Sequence, residues 1–175
     1  YDEVIDETHI SPVRFKNIIN VSIRLKEYNY AFLYIEKNGK KLPIEVQTST
    51  IEFNKAKLFY EQKKYDAAIE ILRTHQYDDI IFNLSAKVLL VQSFYEIKEF
   101  QLLDSFLESF RIFVLRNKEM NTASKKIHQD FIKIMNRLMK MEYASIKEID
   151  AFKNKILSLD NLPDKAWILE KLDAL

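Results

Sequence analysis

The sequence predicts an all-α protein built as a stack of antiparallel helix pairs. Residues 59–72 (FYEQKKYDAAIEIL) return 35 residues later as residues 94–107 (FYEIKEFQLLDSFL). A fixed period of this length is typical of helical repeats. One Gly and three Pro in 175 residues leave few positions for the tight turns of β-hairpins. No segment alternates apolar and polar residues strictly enough to predict a strand.

The first helix pair begins at Ser11-Pro12. The Ser side chain can accept a hydrogen bond from an orphan N–H, and Pro tolerates the first helical position. Apolar residues then recur at helical spacing through two helices separated by a short corner. In the second helix Ala31, Phe32 and Ile35 are expected to face one side.

A polar loop at residues 37–42 (KNGKKL) separates the first pair from the second. We expect Gly39 to end the preceding helix in the left-handed conformation that glycine tolerates best. Pro43 then opens a long third helix that runs to about Gln62. A short fourth helix is predicted over residues 66–73.

Five more helices are predicted from cap signals and apolar spacing. Residues 78–79 (DD) begin the fifth, since their side chains accept from orphan N–H groups. The sixth covers about 100–115 and the seventh about 122–141. Residues 145–148 (SIKE) form a capping box that begins the eighth, and the break at 160–163 (DNLP) precedes the ninth.

A weaker third copy of the repeat precedes the other two. Residues 28–35 align with residues 65–72 at an offset of 37, and the two extra residues fit the polar loop. The period and pattern resemble the tetratricopeptide (TPR) family. Four residues match its small and bulky positions: Ala56, Phe59, Ala68 and Leu72.

The TPR resemblance implies a right-handed α-α superhelix over residues 12–116, with residues 117–175 as a helical cap. Residues 1–11 are expected to be an N-terminal tail or the end of a preceding helix. The C-terminal segment AWILEKL is similar to the ends of bacterial TPR-like proteins, and a first residue other than Met indicates a piece of a longer protein. The period predicts a buried set: Ala56, Phe59, Ala68, Leu72, Val91, Phe94, Leu103 and Leu107.

Composition excludes several kinds of site. The chain has no cysteine, so it has no disulfide, thiolate metal site or Cys nucleophile, and a cytoplasmic location is expected. No apolar run approaches the roughly 20 residues of a membrane span. The net charge of +1 gives no overall attraction to nucleic acid.

Catalytic and metal-binding motifs are missing from the sequence, so we expect no enzyme activity, cofactor or metal. It contains no H-E-x-x-H, G-x-S-x-G or phosphate-binding loop. His75 lies three and four residues before Asp78 and Asp79, a spacing that could suggest a metal site. A histidine stabilised at a helix C-terminus explains it better. The sequence leaves open whether two carboxylic acid side chains form a buried pair.

The TPR resemblance implies a concave groove that binds a protein or peptide. Its first helices contribute Lys16, Asn20, Ile23, Phe53, Lys57, Tyr60, Val88, Gln92 and Tyr95. Tyr60 and Tyr95 would form a ladder with polar tips open to a partner, or would instead pack between repeats. Phe53 and Val88 occupy places where the family's carboxylate clamp has polar residues, so chaperone C-termini are not the expected ligands.

A basic segment supplies the alternative function. Residues 111–140 carry eight cationic and two acidic side chains, a local charge of +6. Such a segment could bind nucleic acid or an acidic partner, or it could be a solvated helix face. The eight cations are Arg111, Arg116, Lys118, Lys125, Lys126, Lys133, Arg137 and Lys140. The sequence does not indicate an oligomeric state.

Overall fold

A computed structural model describes residues 9–175, and within this range the chain forms nine α-helices and two short 3₁₀ turns, without strands. The predicted all-α class and helix count are confirmed. Most of the predicted N-terminal tail, residues 1–8, lies outside the described range.

The helix bounds follow the predicted cap signals closely. The 3₁₀ turns are Gly39–Lys41 and Met141–Tyr143. The helices are α1 Pro12–Arg24, α2 Tyr28–Asn38, α3 Ile44–Glu61, α4 Tyr65–Thr74, α5 Ile80–Glu96, α6 Phe100–Arg116, α7 Thr122–Leu138, α8 Ile146–Leu157 and α9 Lys165–Asp173.

The helices form two compact units, the first ending at Ile97 and the second beginning at Lys98. In the first unit α1 packs on α2, both pack on α3, and α3 and α4 pack on each other and on α5. In the second unit α6 packs on α7 and α8 packs on α9. The boundary that the sequence places between residues 116 and 117 stays a prediction.

One hydrophobic cluster joins the first three helices. Phe15 and Ile19 from α1 meet Ala31 and Ile35 from α2, and Leu58 of α3 completes the cluster. All five side chains are fully or almost fully buried. This burial stabilises α1 and α2 as a pair and fixes the pair against α3.

The predicted helix starts are present as side-chain caps. Ser11 accepts from the backbone N–H of Arg14 at 3.2 Å. Asp79 accepts from two backbone N–H groups at the start of α5. Ser145 and Glu148 form the predicted reciprocal capping box at the start of α8.

The repeat is visible in the backbone at its corners. Lys26, Lys63 and Lys98 have φ of 60°, 60° and 59°, and they are 37 and 35 residues apart. At Lys63 the N–H donates to Tyr60 O, and the next N–H donates to Phe59 O. This is the Schellman pattern, in which a left-handed residue lets the chain close one helix and turn into the next.

Gly39 does not take the left-handed conformation that the sequence suggested. Its φ is −54°, and it begins the first 3₁₀ turn. A Cβ at this position would lie 2.6 Å from Ile51 Cδ1 on α3. A side chain at this position would therefore require the Ile51 side chain to shift, and the left-handed stop is wrong.

Two aromatic side chains are more exposed than their spacing predicts. Seven of the eight residues in the predicted buried set are buried, whereas Phe59 is only half-buried near the end of α3. Phe32 is 39% exposed, because the core face of α2 is centred on Ala31 and Ile35.

Candidate partner-binding groove

Two predicted groove residues from successive helix pairs meet directly. Lys57 Nζ on α3 donates to Asn20 Oδ1 on α1 at 2.9 Å. The two positions are one repeat apart, so the same side of α1 and α3 faces one space. The structure brings together the Asn and Lys that the repeat alignment placed in register.

A polar pocket surrounds this contact. Its volume is about 360 Å³, and its lining comes from α1, α2, α3 and the corner between α1 and α2. It contains three cations, one carboxylate, an amide, a phenol and one aliphatic residue. The lining residues are Asn20, Ile23, Arg24, Lys26, Tyr28, Lys57 and Glu61.

The repeat corner shapes the wall of this pocket. Lys26 is the left-handed residue that ends α1, and Tyr28 is the first residue of α2. The Tyr28 hydroxyl donates to the backbone carbonyl of Glu61 at 3.4 Å, which ties the corner to the end of α3. With three cations against one carboxylate, the lining favours an anionic group.

Four of the lining residues were not among the predicted groove residues: Arg24, Lys26, Tyr28 and Glu61. The TPR alignment takes three residues from each first helix, and it omits the last residues of α1 and α3 and the corner. A signal existed, because lysines 26, 63 and 98 recur with the period and follow the helix ends. Cations near a helix C-terminus complement its dipole.

Phe53 and Tyr60 make contacts within the first unit. Phe53 packs edge-on against Phe82 of α5, with ring centroids 5.8 Å apart. Tyr60 packs edge-on against Tyr65 of α4 at 5.3 Å, and its hydroxyl donates to Glu96 Oε1 at 3.5 Å. These contacts favour packing between helices for Tyr60, and the tyrosine ladder stays a prediction.

The remaining predicted groove residues differ in accessibility. Lys16 is exposed and Tyr95 is half-buried. Ile23, Val88 and Gln92 are buried. Their part in partner binding stays a prediction.

Some cationic side chains of the basic segment make hydrogen bonds, whereas others are exposed to solvent. Arg111 makes two hydrogen bonds to the Glu108 carboxylate, at 2.7 and 2.8 Å, which lower the pKa of that carboxyl. Lys125 Nζ donates to the carbonyl of Leu115 at the end of α6. Exposed side chains without a described partner are those of Arg116, Lys118, Lys126 and Lys140.

Three of the basic residues share one face of α7. Lys126, Lys133 and Arg137 are seven and four residues apart, a spacing that aligns them along a helix. Lys133 is 3.5 Å from Asp130 Oδ1, and the Arg137 guanidinium lies 4.5 Å from the centre of the Phe152 ring. These three residues are called the α7 stripe below.

A Ser–His contact joins α3 to the end of α4. Ser49 Oγ and His75 Nε2 are 3.3 Å apart, and His75 caps the end of α4 as expected. A serine nucleophile also needs a group that orients the imidazole. The other described contact of the His75 ring is with the ring of Tyr77, at 4.6 Å. Within residues 9–175, no three His, Asp or Glu side chains come together as a metal site.

Among residues 9–175, three buried side-chain atoms lack a hydrogen-bond partner: Thr50 Oγ1, Asn54 Oδ1 and the Tyr77 hydroxyl. Burial raises the pKa of Tyr77 far above its ordinary value, and the charge of Glu52 adds to the rise. Burial also lowers the pKa of Lys87 on α5. For the atoms of Thr50, Asn54 and Tyr77, the missing hydrogen bond costs about 1–3 kcal/mol each.

No helix among the described residues has the length and apolar character needed to cross a membrane. No family model matches the chain, and comparison with curated proteins and with solved structures finds no similar protein. The resemblance to TPR proteins therefore rests on the sequence pattern alone.

Proposed function

We propose that this chain is a non-catalytic, TPR-like module that binds an acidic segment of a protein partner. The observation that carries the proposal is the contact between Asn20 and Lys57 inside the polar pocket. It joins the first helices of two successive pairs at one cationic space. Groups that recur along such an array can contact successive parts of an extended partner.

The pocket chemistry defines the group that the partner would contribute. Arg24 and Lys57 present a guanidinium and an ammonium, and Asn20 adds an amide. A carboxylate side chain or a chain terminus can accept hydrogen bonds from all three, and charge-assisted bonds of this kind are the stronger ones. The pocket contains no Ser, Cys or His, which supports binding rather than catalysis.

Selection from a random peptide library tests this function. Wild type should enrich peptides with Asp or Glu, whereas the Arg24→Glu/Lys57→Glu double variant should enrich basic peptides or none. Lys37→Glu/Lys40→Glu is the matched control, because both lysines are exposed and lie outside the pocket. Circular dichroism confirms that each variant keeps its helices. Equal enrichment by all three proteins would contradict the pocket assignment.

A second candidate function is nucleic-acid binding by the second unit, and the α7 stripe favours it. Three cations on one helix face can follow a phosphate backbone. With about three phosphate contacts, the logarithm of affinity for a single strand should fall with a slope of about −2 against the logarithm of salt concentration.

Fluorescence anisotropy with a single-stranded oligonucleotide measures that slope. The Lys126→Glu/Lys133→Glu double variant should abolish binding. Lys147→Glu/Lys155→Glu, with both lysines exposed on α8, should retain part of it. If wild type does not bind at low salt, the second candidate is wrong and the first is unaffected.

A further inference from the structure

An apolar face on the first helix pair is open to solvent. Val21 is 54% exposed, Leu25 is 68% exposed and Tyr30 is 55% exposed. Together with Ile18, Asn17 and Glu27 they line a recess of about 500 Å³ between α1 and α2. Exposed apolar patches of this kind usually mark interaction surfaces. We call it the outer face, and it shares no residue with the polar pocket.

The repeat shows what normally covers such a face. Leu58 of α3 lies 37 residues after Val21, at the equivalent position, and it is fully buried against α1 and α2. Ser93 of α5 lies 35 residues further on and is also fully buried. The equivalent face of α3 is therefore covered by a helix pair, whereas in α1 it is exposed.

Opposite charges flank the outer face. Glu27 lies in the recess at the corner between α1 and α2. Arg14 lies at the other end, on the same side of α1 as Ile18 and Leu25. Burial raises the pKa of Tyr34, and the nearby charge of Arg14 opposes that rise. Since Tyr34 stacks on Tyr30 at 6.2 Å, Arg14 is close to the recess.

We infer that a second copy of this chain covers the outer face, with the two α1 helices antiparallel about a two-fold axis at Val21. Arg14 lies seven residues before Val21 and Glu27 lies six residues after it. Glu27 follows the C-terminal end of α1, so an antiparallel pair centred on Val21 brings Arg14 of each copy to the corner that carries Glu27 of the other. A two-fold interface must be complementary to itself, and this charge pattern meets that condition.

The apolar residues agree with the same axis. Val21 meets its own counterpart, and Leu25 of each copy approaches Asn17 and Ile18 of the other. Because α1 has 13 residues, it is about 20 Å long, and two such helices can bury only a small surface area. The interface therefore belongs to the class of small interfaces that associate weakly. The dimer should therefore form progressively as protein concentration rises.

Sedimentation equilibrium over a range of concentrations tests the inference. Wild type should approach twice the mass of the 20.9 kDa chain. Val21→Glu places two carboxylates at the axis and should hold the protein at the single-chain mass. Ile146→Glu, at an exposed position on α8, is the matched control and should dimerise like wild type. A single-chain mass for wild type at every concentration overturns the inference.

Charge reversal tests the register. Arg14→Glu and Glu27→Arg should each weaken the dimer, and the double variant should restore it because the pairs form again with exchanged signs. If the double variant does not dimerise more strongly than both single variants, the antiparallel arrangement is overturned.

Cross-linking tests the position of the axis. Because the chain has no cysteine, Val21→Cys and Ile146→Cys can be treated with a bifunctional maleimide. Only the first should yield a cross-linked pair, and equal cross-linking of both overturns the axis.

Discussion

Replacing Lys63 with glycine should stabilise the first unit, although the substitution removes a charge and a long side chain. Lys63 has φ of 60° at the end of α3, where two backbone hydrogen bonds close the Schellman turn. A side chain with a Cβ is strained in this conformation, whereas glycine is not. The exposed Lys63 side chain has no described partner, so little is lost with it.

The size of the effect follows from two opposing terms. Holding a non-glycine residue in the left-handed region costs about 1–2 kcal/mol. Glycine loses more backbone entropy on folding, which costs about 0.5–1 kcal/mol. The free energy of unfolding should therefore rise by about 0.5–1 kcal/mol. For a chain of this length the melting temperature should rise by about 1–4 °C.

Urea denaturation followed by circular dichroism measures this change. Lys63→Ala removes the same charge but keeps a Cβ, so its midpoint should stay near that of wild type. Lys37→Gly places glycine in the last turn of α2 and should lower stability by less than the cost of about 1 kcal/mol in a helix interior. If Lys63→Gly is less stable than Lys63→Ala, backbone strain does not set the energy of this corner.

Four further substitutions test packing and capping. Phe94→Ala should lower the free energy of unfolding by about 3–5 kcal/mol, because Phe94 is 2% exposed, and the partly exposed Phe32→Ala should lower it much less. Gly39→Ala should destabilise the first unit by about 1–3 kcal/mol in the same urea assay, through overpacking against α3; an unchanged midpoint would show that α3 relaxes freely. Hydrogen bonds from the Ser145 hydroxyl and backbone lower the pKa of Glu148 below 4.5. Its contribution to stability is therefore present above pH 4.5 and is lost as pH falls through the lowered pKa. In Ser145→Ala, NMR titration should show that pKa moving back towards 4.5.

Local sequence signals predicted the helices and their caps well, since each depends on residues close together in the chain. Ser11 and Asp79 cap the helices that they were expected to begin, and Ser145 pairs with Glu148 as predicted. The period also placed Asn20 and Lys57 in register, and the structure shows them in contact. Helical periodicity and repeat spacing are both one-dimensional properties that a single sequence contains.

Contacts between distant residues decided what the sequence left open. The role of Gly39 depends on the distance to Ile51, a residue of the next helix, so no local pattern could distinguish a left-handed turn from close packing. The left-handed residues at the three repeat corners are lysines, which lack the usual glycine signal, and only the backbone geometry identifies them. The lining of the polar pocket combines Arg24 of α1 with Glu61 of α3, two residues that are far apart in the sequence. Local spacing and capping were therefore enough to predict the fold class and the helix ends. Which side chains share a space could not be predicted in this way, because burial and charge proximity depend on how the helices pack.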